Sequence, residues 1–266
     1  MGFCCRPIYQ FASSVRVMFL FLPISDENPT PRKPLLTWSI IGLNILVFIY
    51  QMSLSNYDNQ MLVNEYGVRP SVFSEFTNLH TLITSAFLHG GFMHLMSNML
   101  FLYIYGDNIE AYLGRTKFLI FYVFGGVAAA LLQAIFSAGA DVPMIGASGC
   151  IAAIMGAYFV LYPKARINVF FWIFIFIQFI KVPANIVIGM WILGQLISAA
   201  GNTYDGVAYF AHIGGFIFGY VGIKYFFKEY MQRARVITNY EEVADNDLPI
   251  SRKNKSQGLS KNDRRY

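Results

Sequence analysis

The sequence predicts an all-α, polytopic membrane protein built from six transmembrane helices, and three observations predict it. Of its 266 residues 56% are hydrophobic and 13% charged, too apolar a balance for a surface that faces water. Six apolar segments reach or approach the roughly 20 residues that a helix needs to cross a bilayer. The basic residues between those segments gather on one side of them, as they do on cytoplasmic faces. A mean hydropathy of +0.46 agrees.

The net charge of +5 is therefore read by location rather than as a nucleic-acid signal. No stretch interleaves Lys or Arg with exposed aromatics in a folded module, which argues against nucleic-acid binding. Three cysteines, Cys4, Cys5 and Cys150, give no paired framework, so no structural disulfide is expected. Gly2 lacks the following Ser or Thr of a myristoylation motif, and Cys150 is expected simply to pack. The apolar run 17–22 is short, meets Pro23 and has no cleavage site after it. It reads as a surface-lying or merely apolar part of a cytoplasmic N-terminal tail, 1–34.

Along the chain, the first span covers 36–54, with Asn44 as its one costly residue. The connection 55–91 carries Asp58, Glu65 and Glu75 but also Val63, Val72, Phe73 and Phe76, too apolar for a disordered linker. A connection of that length is expected to fold on itself at the membrane surface. The second span, 92–106, places His94 and Asn98 at i and i+4 on one helix face and ends at Tyr105-Gly106-Asp107. The third covers 116–136. The fourth, 146–162, is short for a span, so one end is expected to be sunk below the surface. The apolar run 169–180 is too short to cross and reads as interfacial. The fifth span covers 182–200, with Pro183 at its start where a missing N–H costs little, and the sixth covers 208–226. Together 35–226 make one six-helix domain, and 227–266 is a polar, charged cytoplasmic tail without a core.

Six spans put both termini on one side. Arg6, Arg16, Arg32 and Lys33, then Arg115 and Lys117, then Lys164, Arg166 and Lys181, then the tail from Lys224 onward share that side, and only Arg69 falls opposite. That side is the cytoplasm by the positive-inside rule.

The topology brings four polar residues to one depth near the outer surface: Ser148 at the start of the fourth span, His212 at the start of the sixth, and His94 and Asn98 in the second. Polar side chains inside a bilayer are costly and face an interior or a wet cavity, so these four suggest a common pocket. Ser148, Ala152 and Gly156 line one face of the fourth span, and Ala208, Ala211, His212, Gly215 and Gly219 one side of the sixth. Small faces let helix backbones approach closely, which is their structural use and also what a serine and a histidine need to exchange a proton. A helix beginning at Ser148 offers unpaired N–H groups and the positive end of its dipole. His94 and Asn98 can each donate a further hydrogen bond to an oxyanion, although each also fits a plain interhelical tie. No carboxylate lies in the outer halves of the spans, so the chemistry would rest on a Ser148/His212 dyad.

Four stretches carry a family resemblance: Phe87-Leu88-His89-Gly90-Gly91-Phe92-Met93-His94 with Asn98, Tyr105-Gly106-Asp107-Asn108-Ile109-Glu110, Gly146-Ala147-Ser148-Gly149, and Ala211-His212-Ile213-Gly214-Gly215-Phe216. In order and spacing they resemble the rhomboid family of intramembrane serine proteases. The resemblance implies a six-helix bundle that hydrolyses peptide bonds inside the membrane. It implies Ser148 as nucleophile, His212 as base and then acid, and His94, Asn98 and the Ser148 backbone as oxyanion hole. His89, Gly146, Gly149 and Gly215 are supporting residues, and 55–91 becomes a half-embedded first loop. Two departures bear on anchoring: His80-Thr81 stands where many members carry Trp-Arg, and Ala152 replaces an aromatic residue that often stacks on the base. Packing is then expected to orient His212.

The expected substrates are single-span membrane proteins, cut near their outer boundary at small residues, a preference that the resemblance implies. The cut segment must unwind, because a helical backbone shields its own peptide bonds. No cofactor is expected and no metal, since His-Glu-x-x-His is absent and His89 and His94 lack a third ligand at clear spacing. Asp107 and Asp205 fall on opposite sides and cannot form an aspartyl dyad. Partners are these substrates and the lipid bilayer, with no nucleic acid, and the oligomeric state is open. The expected location is a bacterial inner (plasma) membrane. The competing class is a non-catalytic transmembrane-helix binder or quality-control factor on the same bundle. The resemblance also points to the fifth span, around Trp191, as the side that admits substrate.

Overall fold

The computed structural model describes residues 19–28, 30, 33–70, 78–137, 142–173, 175–201 and 206–227. Its elements are β1 (Phe19–Asp26), α1 (Leu35–Ser53), α2 (Asn56–Tyr66), α3 (Thr81–Thr84) with a 3₁₀ turn at Ser85–Phe87, α4 (Phe92–Leu113), α5 (Arg115–Phe136), α6 (Ser148–Leu161), β2 (Arg166–Ile173), β3 (Phe176–Pro183), α7 (Ala184–Ala200) and α8 (Tyr209–Val221), which continues as a π turn over Gly222–Phe226. Of the tail expected at 227–266, only Phe227 lies among these residues.

The chain is mostly helical but not all-α. β1, β2 and β3 form an antiparallel sheet in that order. The apolar run after Lys164 is too short to cross as a helix and rich in β-branched and aromatic residues, so a hairpin satisfies its backbone. Ile167 and Val169 of β2 are buried in the core, while Phe176, Ile177 and Phe179 of β3 are exposed. The apolar N-terminal run is likewise not a loose tail. Residues from Phe19 to Asp26 pair with β2, with an irregularity between Pro23 and Ser25. An ion pair from Lys181 to Glu27 and a bond from Asn168 Nδ2 to Ser25 Oγ (3.1 Å) tie the sheet together.

α4 runs on to Leu113 instead of ending at Tyr105-Gly106-Asp107. The motif Tyr105 to Glu110 therefore lies within a helix, and its work is joining. The N-cap of α1, Pro34, offers no side-chain cap, and the buried Glu110 supplies one. Its carboxylate accepts from Leu36 N (3.0 Å), Thr37 N (2.8 Å) and Thr37 Oγ1 (2.8 Å), which satisfies orphan N–H groups at the positive end of α1. Asn108 donates to Asp26 (2.8 Å), and Tyr158 OH does the same (2.7 Å), which pins β1 to the bundle. Burial raises the Asp26 carboxyl above its ordinary range, against the lowering effect of those two bonds. Glu110→Ala is expected to destabilise the bundle by about 2 kcal/mol, measured by unfolding in detergent, because buried N–H groups lose a charged acceptor.

Gly114, at φ +74, is the single residue between α4 and α5. The central element is α6, buried from Gly149 to Tyr158. α5 and α8 pack against it through glycines. A Cβ on Gly149 would lie 2.6 Å from Ala129 Cβ, and one on Gly215 or Gly219 would overlap the carbonyls of Gly149 or Ala153. The pairing of Gly149 with Gly215 and Ala153 with Gly219 makes α6 and α8 run parallel, with the first turn of α6 beside the second turn of α8 and His212 one turn before that contact. α1 and α5 are long and apolar enough to cross a bilayer, and α6 and α7 are shorter apolar helices.

Candidate active site

Ser148 is the first residue of α6 and is half-buried. It lines a cavity of about 50 Å³ with Ser85, Met144, Gly146, Ala208 and Ala211. Its approach is held from the first loop. Val68 and Met144 exchange backbone bonds (3.0 and 2.7 Å), and Gly146 N donates to Ser85 O (2.9 Å). The loop is itself anchored by Thr84 Oγ1 on Tyr66 O (2.8 Å) and by an edge contact of Tyr66 with His80. Backbone pairing thus takes over the anchoring that the His80-Thr81 departure put in question.

Gly146 has φ +119, open to glycine at little cost, and no side chain fits there. A Cβ would lie 2.7 Å from His94 Nε2 and 3.7 Å from Asn98 Nδ2. His94 and Asn98 therefore both reach the turn just before Ser148. Gly90 N donates to His94 Nδ1 (3.3 Å), so that nitrogen is the acceptor and the ring proton belongs on Nε2, the atom facing Gly146. Asn98 Nδ2 donates to His94 O (3.0 Å) with one of its two hydrogens.

His89 is buried beside His94, ring centroids 5.1 Å apart. Its backbone is clasped by Gln51, whose Oε1 accepts from His89 N (3.0 Å) and whose Nε2 donates to His89 O (3.3 Å). Burial, with a smaller contribution from His94, holds the His89 ring down to about 4, so it is neutral at pH 7 and serves as packing for His94.

His212 lies in the first turn of α8. The start of that helix is capped from α5, where Gln133 Oε1 accepts from Ala211 N (3.0 Å). His212 Nδ1 is 2.6 Å from Gln195 Oε1 on α7, and the Trp191 ring lies 5.6 Å away, tilted by 38°. Ala152 is buried beneath Gly215, so the groups against the His212 ring come from α7 instead, as Gln195 and Trp191. Ser148 and His212 lie near the starts of these two neighbouring helices, and among the described residues no hydrogen bond joins them.

Gln195, Gln133 and Gln51 were legible only in part. An amide in an apolar helix is costly, the same signal that marks Asn98, but an amide is not the carboxylate that a catalytic triad ordinarily carries. Asp205 lies outside the described residues.

The Rhomboid domain family matches residues 77–229, more than half of the chain. RHOMBOID-like protein 12, mitochondrial, of Arabidopsis thaliana is 31% identical over 60% of this chain and 49% of its own length. Rhomboid protein 1, mitochondrial, of Saccharomyces cerevisiae is 28% identical over 69% of this chain and 51% of its own length. Rhomboid protease GluP of Bacillus subtilis is 27% identical over 56% of this chain and 30% of its own length. The chain thus spans about half the length of the first two relatives. The domain match covers all four motifs in full, from Phe87 to Phe216, and the chain belongs to the rhomboid family, a helical, polytopic membrane fold.

Proposed function

We propose that this protein is an intramembrane serine endopeptidase. The observation that carries the reading is the convergence of His94 Nε2 and Asn98 Nδ2 on Gly146, at the mouth of the helix that begins with Ser148, beside the parallel helix whose first turn holds His212. Ser148 Oγ attacks the scissile carbonyl carbon while His212 Nε2 takes its proton. The carbonyl electrons move to oxygen. His94 Nε2–H, Asn98 Nδ2–H and the free N–H groups of the first turn of α6 stabilise that oxyanion. Collapse expels the new amine, which takes the proton from His212, and water attacks the acyl-enzyme by the same route in reverse.

The substrates are single-span membrane proteins whose helix unwinds near the outer boundary. Spans at α1, α4, α5, α6, α7 and α8 with both termini cytoplasmic make the six-helix topology. The protein is integral to a membrane. The comparisons lend no support to a bacterial inner membrane, since plant and yeast mitochondrial proteins match more of the chain than the bacterial protease does.

The test is cleavage of a labelled single-span substrate in liposomes together with labelling by a serine-directed fluorophosphonate, with Ser148→Ala as the control. Cleavage and labelling that both vanish in the control support the protease. A wild type that neither cuts nor labels favours the helix-binding alternative. His94→Ala is expected to lower kcat by about 100-fold with KM little changed, as for loss of one oxyanion donor, which steady-state kinetics in the same liposomes would check.

A further inference from the structure

We infer that Gln195 is a positioning residue for the base, holding His212 in the productive tautomer, and that it makes the base dependent on the seating of α7. The inference rests on the protease reading above and concerns the regulation of that same site. Gln195 Oε1 is an acceptor only, so at 2.6 Å it requires the proton on His212 Nδ1 and leaves Nε2 with a free lone pair. The opposite tautomer would place two lone pairs against each other on one side and a proton toward Ser148 on the other, and could not accept the serine proton. The amide itself is oriented. Gln195 Nε2 donates to Trp191 O (3.4 Å), one turn earlier on α7, which turns Oε1 toward His212. Trp191 places its ring over the imidazole from the same helix face. An uncharged third member therefore occupies the position that a carboxylate takes in a triad.

The helix that carries this residue is the least embedded of the bundle. Ala184, Val187 and Ile188 at its first turns are its buried residues, whereas Met190, Leu193, Leu196 and Ile197 are exposed. Moving the far half of α7 away from α8 would thus take Gln195 and Trp191 with it. The base would lose its orientation while the helix is displaced and regain it on return. Among the described residues, His94 on α4 is the titratable group that acts on His212. α5 presents Gln133 near it, and α6 and α7 present no charged side chain.

The experiment uses the full chain in liposomes and compares wild type, Gln195→Leu, Gln195→Glu and the Ser148→Ala control. It measures kcat and KM for a single-span substrate across pH and the rate of fluorophosphonate labelling. Gln195→Leu is expected to lower kcat and labelling together by about 10- to 100-fold, with KM within about twofold. Gln195→Glu is expected to restore most of the rate and to move the acid limb of kcat to higher pH by about one unit or more, because a carboxylate favours the imidazolium. A Leu variant with wild-type kcat, labelling and pH limb overturns the inference. So does a change confined to KM with labelling unchanged, which would mean that Gln195 only packs α7. A Ser148→Ala control that cuts as fast as wild type would remove the dyad reading itself, and this inference with it.

Discussion

Ser148→Ala and His212→Ala are each expected to lower kcat for a single-span substrate by about 10⁴-fold or more, and the double variant should lose little beyond either one. The reason is that nucleophile and base act as a unit. A serine without a base keeps its proton, and a base without a serine has nothing to activate, so the two losses do not add. At 25 °C a 10⁴-fold loss is about 5.5 kcal/mol of transition-state stabilisation, more than one hydrogen bond supplies. Both changes only shorten a side chain, Ser148 beside Ala208 and Ala211 and His212 beside Gln195 and Trp191, so the fold should survive them. Unfolding in detergent checks that survival, and cleavage in liposomes measures the loss. Full additivity of the two losses, or a residual rate near wild type in either single variant, would show that the residues do not form a dyad.

Gly219→Val is the second large effect, and it acts on stability. A Cβ at Gly219 would overlap Ala153 O and lie 2.7 Å from Ala153 C, all backbone of a buried helix that cannot yield as a side chain can. α8 must then part from α6 along the seam that also holds Gly149 against Gly215. Overpacking at such a contact costs about 3 kcal/mol or more, and the valine also separates the first turns that carry Ser148 and His212. Loss of cleavage with a lowered unfolding midpoint is the expected result. Gly42→Ala is the control, since nothing lies within 4 Å of a Cβ there. It should leave stability unchanged or raise it by up to about 1 kcal/mol. A Gly219→Val protein as stable as wild type would mean that the α6–α8 seam is not close-packed.

Several features are legible in the sequence alone. Hydropathy located the helices at 36–54, 116–136 and 182–200 to within two residues at each end, because a long apolar helix announces itself by length alone. His94, Asn98, Ser148 and His212 stood out because polar groups are rare in such segments. Tyr105-Gly106-Asp107 looks like a helix stop, and only the contacts of Glu110 and Asn108 with α1 and β1 explain why α4 continues through it. β1 pairs with β2 from about 140 residues away, which leaves no periodicity in either strand alone, while the β2–β3 hairpin lies in a short apolar run that periodicity does not tell from a buried helix.

By itself the sequence determined the membrane class, the approximate helices, and which side chains are too costly to be idle, since transfer free energy and chain length are local properties. Tertiary structure alone decided that Gly146 brings His94 and Asn98 to the start of α6, that Glu110 caps α1, and that Gln195 orients His212. Those are distances between residues remote in the chain. They depend on how α1, α4, α7, α8 and the turn at Gly146 come together in space, and no local pattern encodes that approach.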